Sequence, residues 1–265
     1  MHEFNYHSAN SVSDAADKLK GSQDATLMAG GMTLLPTLKQ RLAQYSDIVD
    51  LAGISELGGI RVEGGTVSIG ATTKHAIVAG SPDVQSTIPA LAELAGGIGD
   101  PQVRNRGTIG GSIANNDPAA DYPAACLGLG ATMVTDSREI SADDFFNGLF
   151  ETALNDGEII TGIKFPVVSK AAYVKFANPA SRYALVGVFV SATDSDVRVA
   201  VTGAGQNGVF RVPDMESALK SNFSADAVSV ITVAPDLLAS DIHAEADYRS
   251  HLITVMAKRA IAKAG

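Results

Sequence analysis

The chain of 265 residues has one cysteine, Cys126, no tryptophan, and only 6% aromatic residues. A single cysteine excludes an intrachain disulfide and leaves no cluster to ligate iron and sulfur, so any iron–sulfur centre serving its chemistry sits on another polypeptide. Cys126, between Ala125 and Leu127, reads as a small buried hydrophobe. The five histidines, His2, His7, His75, His243 and His251, show neither HxH nor HExxH spacing, which argues against a zinc or non-haem iron site. No basic run or arginine-rich helix is present, and 29 acidic residues against 20 basic ones give a net charge of −9. Such a chain lacks the electrostatic footprint of a nucleic-acid binder, and its surface charge serves solubility. No secretory apolar segment follows Met1, and no apolar run reaches the roughly 18 residues of a membrane span. The expectation is a soluble cytoplasmic protein with no membrane insertion. Internal repeats and low-complexity tracts are missing too, and the length suits one large or two modest domains.

Glycine, by contrast, is plentiful at 26 residues, and in two places a pair of glycines stands beside hydroxyl side chains. Residues 105–121 include Thr108-Ile109-Gly110-Gly111-Ser112, followed by Ile113, Ala114, Asn115, Asn116, Asp117, Pro118, Ala119, Ala120 and Asp121. With few large apolar groups, this stretch reads as a loop outside the core. There Gly110 and Gly111 let the backbone take φ > 0 or let another group approach it closely, so that successive N–H groups can turn towards one anion. Residues 27–35 run from an apolar strand through Gly30-Gly31 and Thr33 into a helical pattern from Leu34 towards Gln44. A strand feeding a glycine turn and a helix N-terminus is anion-binding geometry. One glycine pair alone serves equally as a tight turn. Two pairs, each flanked by Thr or Ser, point to the diphosphate of a dinucleotide.

Ala29-Gly30-Gly31-Met32-Thr33 and Thr108-Ile109-Gly110-Gly111-Ser112 resemble the two FAD diphosphate loops of the flavoprotein subunit of molybdenum hydroxylases, the xanthine dehydrogenase family. Within it the likeness is to the medium subunit of the aerobic carbon monoxide dehydrogenases. Asp117-Pro118-Ala119-Ala120-Asp121, Glu158-Ile159-Ile160 and Tyr173-Val174-Lys175-Phe176 also fall where that family has counterparts, so the resemblance covers nearly the whole chain. It implies an α+β protein: a two-lobed FAD-binding domain of the vanillyl-alcohol-oxidase (PCMH) type over 1–166, with lobes of about 1–53 and 54–166, then a smaller C-terminal α+β domain over 167–265. It implies non-covalent FAD, no histidine standing in either loop to tether it. It also implies partners, a large molybdopterin-binding subunit and a small subunit with [2Fe–2S] clusters, in a heterotrimer or a dimer of heterotrimers.

The cofactor-binding residues implied are Met28, Ala29, Gly30, Gly31, Met32, Thr33 and Leu35 from the first loop, and Thr108, Ile109, Gly110, Gly111, Ser112, Ala114 and Asn115 from the second. Asp121 is assigned to the ribityl or ribose hydroxyls and Ile159 and Ile160 to the isoalloxazine ring. Lys175 is assigned to the flavin or its access channel. By residue type alone the isoleucines are ordinary buried strand residues, and a solvated lysine serves equally well at 175. Asp117 reads as a turn or cap residue, Pro118 shaping the loop between the two aspartates. Many relatives have an aspartate near the position of Arg182, so a preference for NAD as acceptor does not carry over. No catalytic side chain is expected.

Along the chain, a strand near 4–6, a helix capped by Ser11 with Asp14 and ended by Gly21, and strands at 25–28 and 47–51 predict a βαβαβ-like unit over the opening 53 residues. A hairpin about Gly64-Gly65 follows, then a short helix capped by Thr72 or Thr73, a helix opened by Pro89, a helix near Pro123, and strands at 131–135, 138–140 and 158–165. Beyond a boundary at 166–170, a hairpin of 184–191 with 197–202 packs against a helix carrying Leu252, Val255, Met256 and Ala260. Gly203-Ala204-Gly205-Gln206-Asn207-Gly208 fits GxGxxG, but Val209 to Val212 is extended and ends at the breaker Pro213, so it reads as a turn between sheet elements. The alternatives to an electron-transfer subunit are a stand-alone flavin oxidoreductase of the same fold, such as the enolpyruvyl reductase of cell-wall synthesis, and a non-enzymatic nucleotide-binding protein.

Overall fold

Three short strands at the N-terminus pair in parallel because a helix after each of the first two carries the chain back to the same edge. The computed structural model describes residues 1–265. It runs β1 (Asn5–Ser8), α1 (Val12–Lys20), β2 (Ala25–Met28), α2 (Leu34–Lys39) and β3 (Asp47–Asp50), with β3 between β1 and β2. Ser11 caps α1, its hydroxyl accepting the Asp14 N–H at 3.1 Å, while the Asp14 carboxylate accepts the Asn10 N–H at 2.9 Å. The expected helix towards Gln44 stops at Lys39, where Arg41 turns into the left-handed region at φ 59°.

The second part begins with the hairpin β4 (Ile60–Glu63) and β5 (Thr66–Gly70), whose turn has positive φ at both Gly64 and Gly65. Helices follow: α3 (His75–Gly80), α4 (Pro82–Thr87), α5 (Pro89–Gly96), α6 (Pro101–Arg104), α7 (Ile109–Asn115) and α8 (Tyr122–Leu129). Prolines at the first position open α4, α5 and α6, where a missing N–H costs nothing. Neither Thr72 nor Thr73 caps α3: Lys74 holds that place, and the Thr73 hydroxyl is bound to the Gly59 backbone instead. Then come β6 (Thr132–Thr135), β7 (Glu139–Ser141), α9 (Ala142–Phe145), the small hairpin β8 (Phe146–Gly148) with β9 (Glu151–Thr152), and β10 (Ile160–Pro166). The antiparallel sheet is ordered β4-β5-β10-β6-β7.

The last part is the antiparallel sheet β11 (Lys170–Ala177), β12 (Ala184–Ala192), β13 (Val197–Thr202) and β14 (Phe210–Arg211), with α10 (Pro213–Ser221) and α11 (Ala246–Ala264). Strand β12 is buried along its whole length. One face meets α8, where a Cβ on Gly128 would stand 3.0 Å from Phe189 Cγ, and the other meets α11. Covered on both sides, it reads as a continuous apolar run rather than an alternation. The Gly203–Gly208 stretch is the turn between β13 and β14, with positive φ at both ends. Pro213 does not end a segment there: it opens α10.

The core falls into clusters of 30, 23 and 7 buried residues. Tyr173, Phe189 and Ala200 from the last sheet belong to the largest, and Ile159 belongs to the smallest, among Leu51, Ile54 and Leu57. The parts are therefore joined by shared packing.

Candidate cofactor site

Strand β2 ends at Met28, and the chain then turns at Gly31, which takes φ +70°. The N–H groups of Ala29, Gly30, Gly31, Met32, Thr33 and Leu34 have no hydrogen-bond acceptor within the chain; the intrahelical pattern of α2 starts with Leu35 N–H to Gly31 C=O at 3.0 Å. The Thr33 hydroxyl is free as well, since it makes no cap bond. Consecutive unpartnered donors bent around an αL residue form an anion-binding nest, at the start of a helix whose dipole adds to it. Met28 and Leu35 brace the turn from behind, Leu35 Cδ1 lying 3.0 Å and Met28 Sδ 3.5 Å from where a Gly31 Cβ would be.

The second glycine segment differs from the expected loop. Residues 109–115 are helix α7, neither Gly110 nor Gly111 has positive φ, and Ile109 and Ile113 are fully buried. Its N–H groups are already used: Ile109 donates to Thr73 C=O at 3.0 Å, Gly110 to Ala71 C=O at 2.8 Å, and Gly111 to the Thr108 hydroxyl at 3.2 Å. Gly110 is needed for packing, because a Cβ there would stand 2.6 Å from Ala71 Cβ. Ile109 and Gly110 thus face the core, a correction to their assignment as anion donors. The opposite face of α7 carries Gly111 and Ala114, exposed, beside the half-buried Ser112 and Asn115.

The two segments meet. A Cβ on Gly30 would collide with the Arg106 carbonyl and stand 2.8 Å from Gly107 Cα, and one on Gly111 would lie 3.9 Å from Ala29 Cβ. The contact of Arg106 and Gly107 with Gly30 leaves no local signal in the sequence. The donor-rich turn and the small-residue face of α7 are therefore neighbours where the parallel unit meets the helical part. An open surface depression of about 1030 Å³ along Met1, His2, Glu3, Phe4 and Asn5 lies elsewhere. It is broad, open and at the amino ends of β1 to β3, whereas ligands of parallel sheets bind at the carboxyl ends, where Gly30 and Gly31 sit.

Past α7, Asn116 takes φ 42° and its side-chain amide donates to Gly148 and Glu151 C=O. Asp117 is a turn residue, its carboxylate accepting the Ala119 N–H at 2.9 Å. Asp121 is buried and accepts from the Tyr173 hydroxyl and from Lys175 Nζ, the latter at 3.0 Å. Lys175 also donates to Gly97 C=O at 2.9 Å, so it is a paired rather than a solvated lysine. Burial pushes the Asp121 carboxyl up, against the pull of the Lys175 charge and the Tyr173 hydrogen bond. Tyr173 was legible as a partner: residues two apart in a strand share a face, so wherever Lys175 points, Tyr173 points too. Ile160 is buried in the largest core cluster and Ile159 in the smallest, so the pair splits between the two parts.

Near Gly107, His75 is buried with Nδ1 unpartnered, its ring 5.4 Å from that of Tyr122. Burial, with the Arg104 charge adding to it, lowers its pKa from 6.5 to about 4. Between those values the unfolded chain binds the proton and the folded chain does not. This contribution to stability is whole above about pH 6.5 and is lost as pH falls to about 4, by roughly 3 kcal/mol at 1.36 kcal/mol per pKa unit. Asp117 and Asp121 shift the other way, so the comparison with a variant isolates the histidine. His75→Leu is expected to flatten the fall in urea midpoint between pH 6.5 and 4; a slope equal to that of wild type would contradict a neutral buried imidazole.

The model of the FAD binding domain in molybdopterin dehydrogenase matches residues 2–168, and both glycine segments fall inside that match. The chain belongs to this family. It is 37% identical to the carbon monoxide dehydrogenase medium chain of Hydrogenophaga pseudoflava, covering 97% of this chain and 96% of that one. To the nicotine 6-hydroxylase medium subunit of Paenarthrobacter nicotinovorans it is 38% identical, covering 98% and 96%. Among solved structures, reconstituted CO dehydrogenase from Oligotropha carboxidovorans superposes with a TM-score of 0.92 at 34% identity, over 99% of this chain and 98% of that one. Family membership makes this chain an FAD-binding component of an oxidoreductase. No helix is long and apolar enough to cross a membrane.

Proposed function

We propose that the chain is the FAD-carrying electron-transfer subunit of a cytoplasmic molybdenum-containing hydroxylase or dehydrogenase, taking electrons from [2Fe–2S] clusters on a small partner subunit and passing them to an external acceptor. Substrate oxidation then belongs to a large molybdopterin-binding subunit, in a heterotrimer or a dimer of heterotrimers. In this reading 1–166 is the two-lobed FAD domain of the PCMH type and 167–265 its C-terminal companion. The observation that carries it is the run of unpartnered N–H groups from Ala29 to Leu34, in a turn that neighbours the small-residue side of α7, in a chain that aligns end to end with medium chains.

The residues fit the cofactor. Gly30 and Gly31 with Thr33 would hold the diphosphate, and Thr108 and Ser112 would add hydroxyls from the α7 side. Hydrogen bonds to charged groups contribute about 1.5–3 kcal/mol each, so a few of these donors suffice. Gly111, Ala114 and Asn115 leave room for close approach. Asp121 keeps acceptor capacity beyond its bonds to Tyr173 and Lys175, since a carboxylate has about four lone-pair sites; that capacity serves a flavin hydroxyl. Ile160 excludes water, and Lys175 balances the Asp121 charge. Bound FAD supplies the redox chemistry, accepting and releasing electrons.

Purification of the full chain from its native source is expected to yield a yellow preparation that releases FAD into solution on denaturation. A molybdopterin-containing chain and a [2Fe–2S] chain are expected to co-purify. Bleaching of the isolated chain by substrate, without partners, would contradict the subunit reading and favour a self-sufficient flavin enzyme.

A further inference from the structure

The segment from Pro118 to Asp121 lies directly after α7, yet its long-range hydrogen bonds run to the last sheet. Pro118 C=O accepts the Gly203 N–H at 2.8 Å, Ala119 C=O accepts the Ala184 N–H at 3.3 Å, and Asp121 is held by Tyr173 and Lys175. The remaining carbonyl, that of Ala120, accepts no backbone N–H. It takes its hydrogen bond from the Thr202 hydroxyl at 2.7 Å, and the same oxygen stands 3.1 Å from Pro118 C=O. A hydroxyl has one proton, so the shorter contact is the main bond and Pro118, already served by Gly203, takes the weaker share. Thr202 is fully buried at the end of β13. That strand end is itself fixed, because Arg249 donates to Gly203 C=O and, at 2.8 Å, to Leu185 C=O.

We propose that Thr202 is a positioning residue for the flavin: its hydroxyl, donating to Ala120, sets where Asp121 stands relative to the cofactor. The inference rests on the proposed assignment of Asp121 to a flavin hydroxyl and gives a role there to a residue 82 positions from Ala120 in the chain. Thr202→Val keeps the shape of the side chain and removes the donor, leaving a buried carbonyl unpaired. Thr202→Ser keeps the donor and loses only a methyl group.

The experiment measures FAD affinity of the full-length apoprotein by fluorescence quenching, together with the visible band shape of bound flavin. Thr202→Val is expected to bind at least tenfold more weakly and to show altered vibrational structure in the flavin band, while Thr202→Ser stays within twofold of wild type with an unchanged spectrum. A purely structural role would lower the melting temperature of the Val variant without changing the spectrum of the flavin it still binds, and that result overturns the proposal. Amide hydrogen exchange on wild type covers the case in which the Val variant fails to fold. FAD is then expected to slow exchange across 119–122, and unchanged exchange there, with protection elsewhere, also overturns it. A wild-type chain that binds no FAD contradicts the flavin reading itself, whereas FAD bound equally well by wild type and Thr202→Val contradicts only the role of Thr202.

Discussion

Gly30→Ala is expected to purify without flavin and to unfold at a lower temperature than wild type. The new Cβ would meet the Arg106 carbonyl and Gly107 Cα, and backbone of a neighbouring segment cannot rotate aside as a side chain does. Overpacking of this kind costs about 1–3 kcal/mol, and an obstacle made of backbone places it at the upper end. The corresponding fall in melting temperature is on the order of 5–10 °C. Gly111→Val separates binding from folding. Its Cβ would meet the Thr108 hydroxyl at 2.9 Å and stand in ordinary contact, 3.9 Å, with Ala29 Cβ. The cap bond of α7 is then the main structural loss, roughly 1 kcal/mol, so the apoprotein folds while FAD affinity drops at least a hundredfold. Full flavin occupancy in the Gly111 variant would contradict a cofactor between these segments. A Gly30 variant as stable as wild type would contradict the contact with Arg106.

Lys175→Met should be the most destabilising change at the other end of the site. Asp121 has a side chain only 4% exposed and Lys175 is its one cationic partner. Removing one member of a buried pair typically costs about 3–5 kcal/mol, because the charge left behind has neither water nor counterion. The carboxyl has an exit, since burial already raises its pKa and it can take up a proton. A folded-state pKa above the unfolded value stabilises at low pH and loses that stabilisation as pH rises through it. The variant is therefore expected to approach wild-type stability on acidification and to fall furthest behind in alkali, by urea unfolding at each pH. Adding Asp121→Asn should recover much of the loss, a coupling that a double-mutant cycle reads directly. Equal stability of wild type and Lys175→Met across the range would show that the pair carries no weight.

What the sequence disclosed follows from how local each signal is. The parallel unit around Gly30 and Gly31 was legible because a strand, a glycine turn and a helix follow one another within residues 25–39, and the cap of Ser11 with Asp14 was likewise local. Helix α7 was not legible. Two adjacent glycines each cost a helix about 1 kcal/mol relative to alanine, so Thr108 to Ser112 read as a loop. The fold overrides that cost because Gly110 must lie against Ala71, where no side chain fits, and Thr108 caps the turn. The spending of N–H groups on Thr73 and Ala71 was equally hidden, since those acceptors lie more than thirty residues upstream. The ion pair of Asp121 with Lys175, 54 residues apart, is decided by how β11 meets α8 and leaves no local mark. The proposed site was thus legible through its first turn, while the division of labour between its two sides is a property of packing.

A crystal structure of the full-length chain loaded with FAD tests the central claim most directly. The expected density places the diphosphate within hydrogen-bonding distance of the N–H groups between Gly30 and Leu34, with the Gly111 face of α7 across from it. A diphosphate seated in the open depression beside Met1 to Asn5, or anywhere that leaves those N–H groups facing solvent, would contradict it.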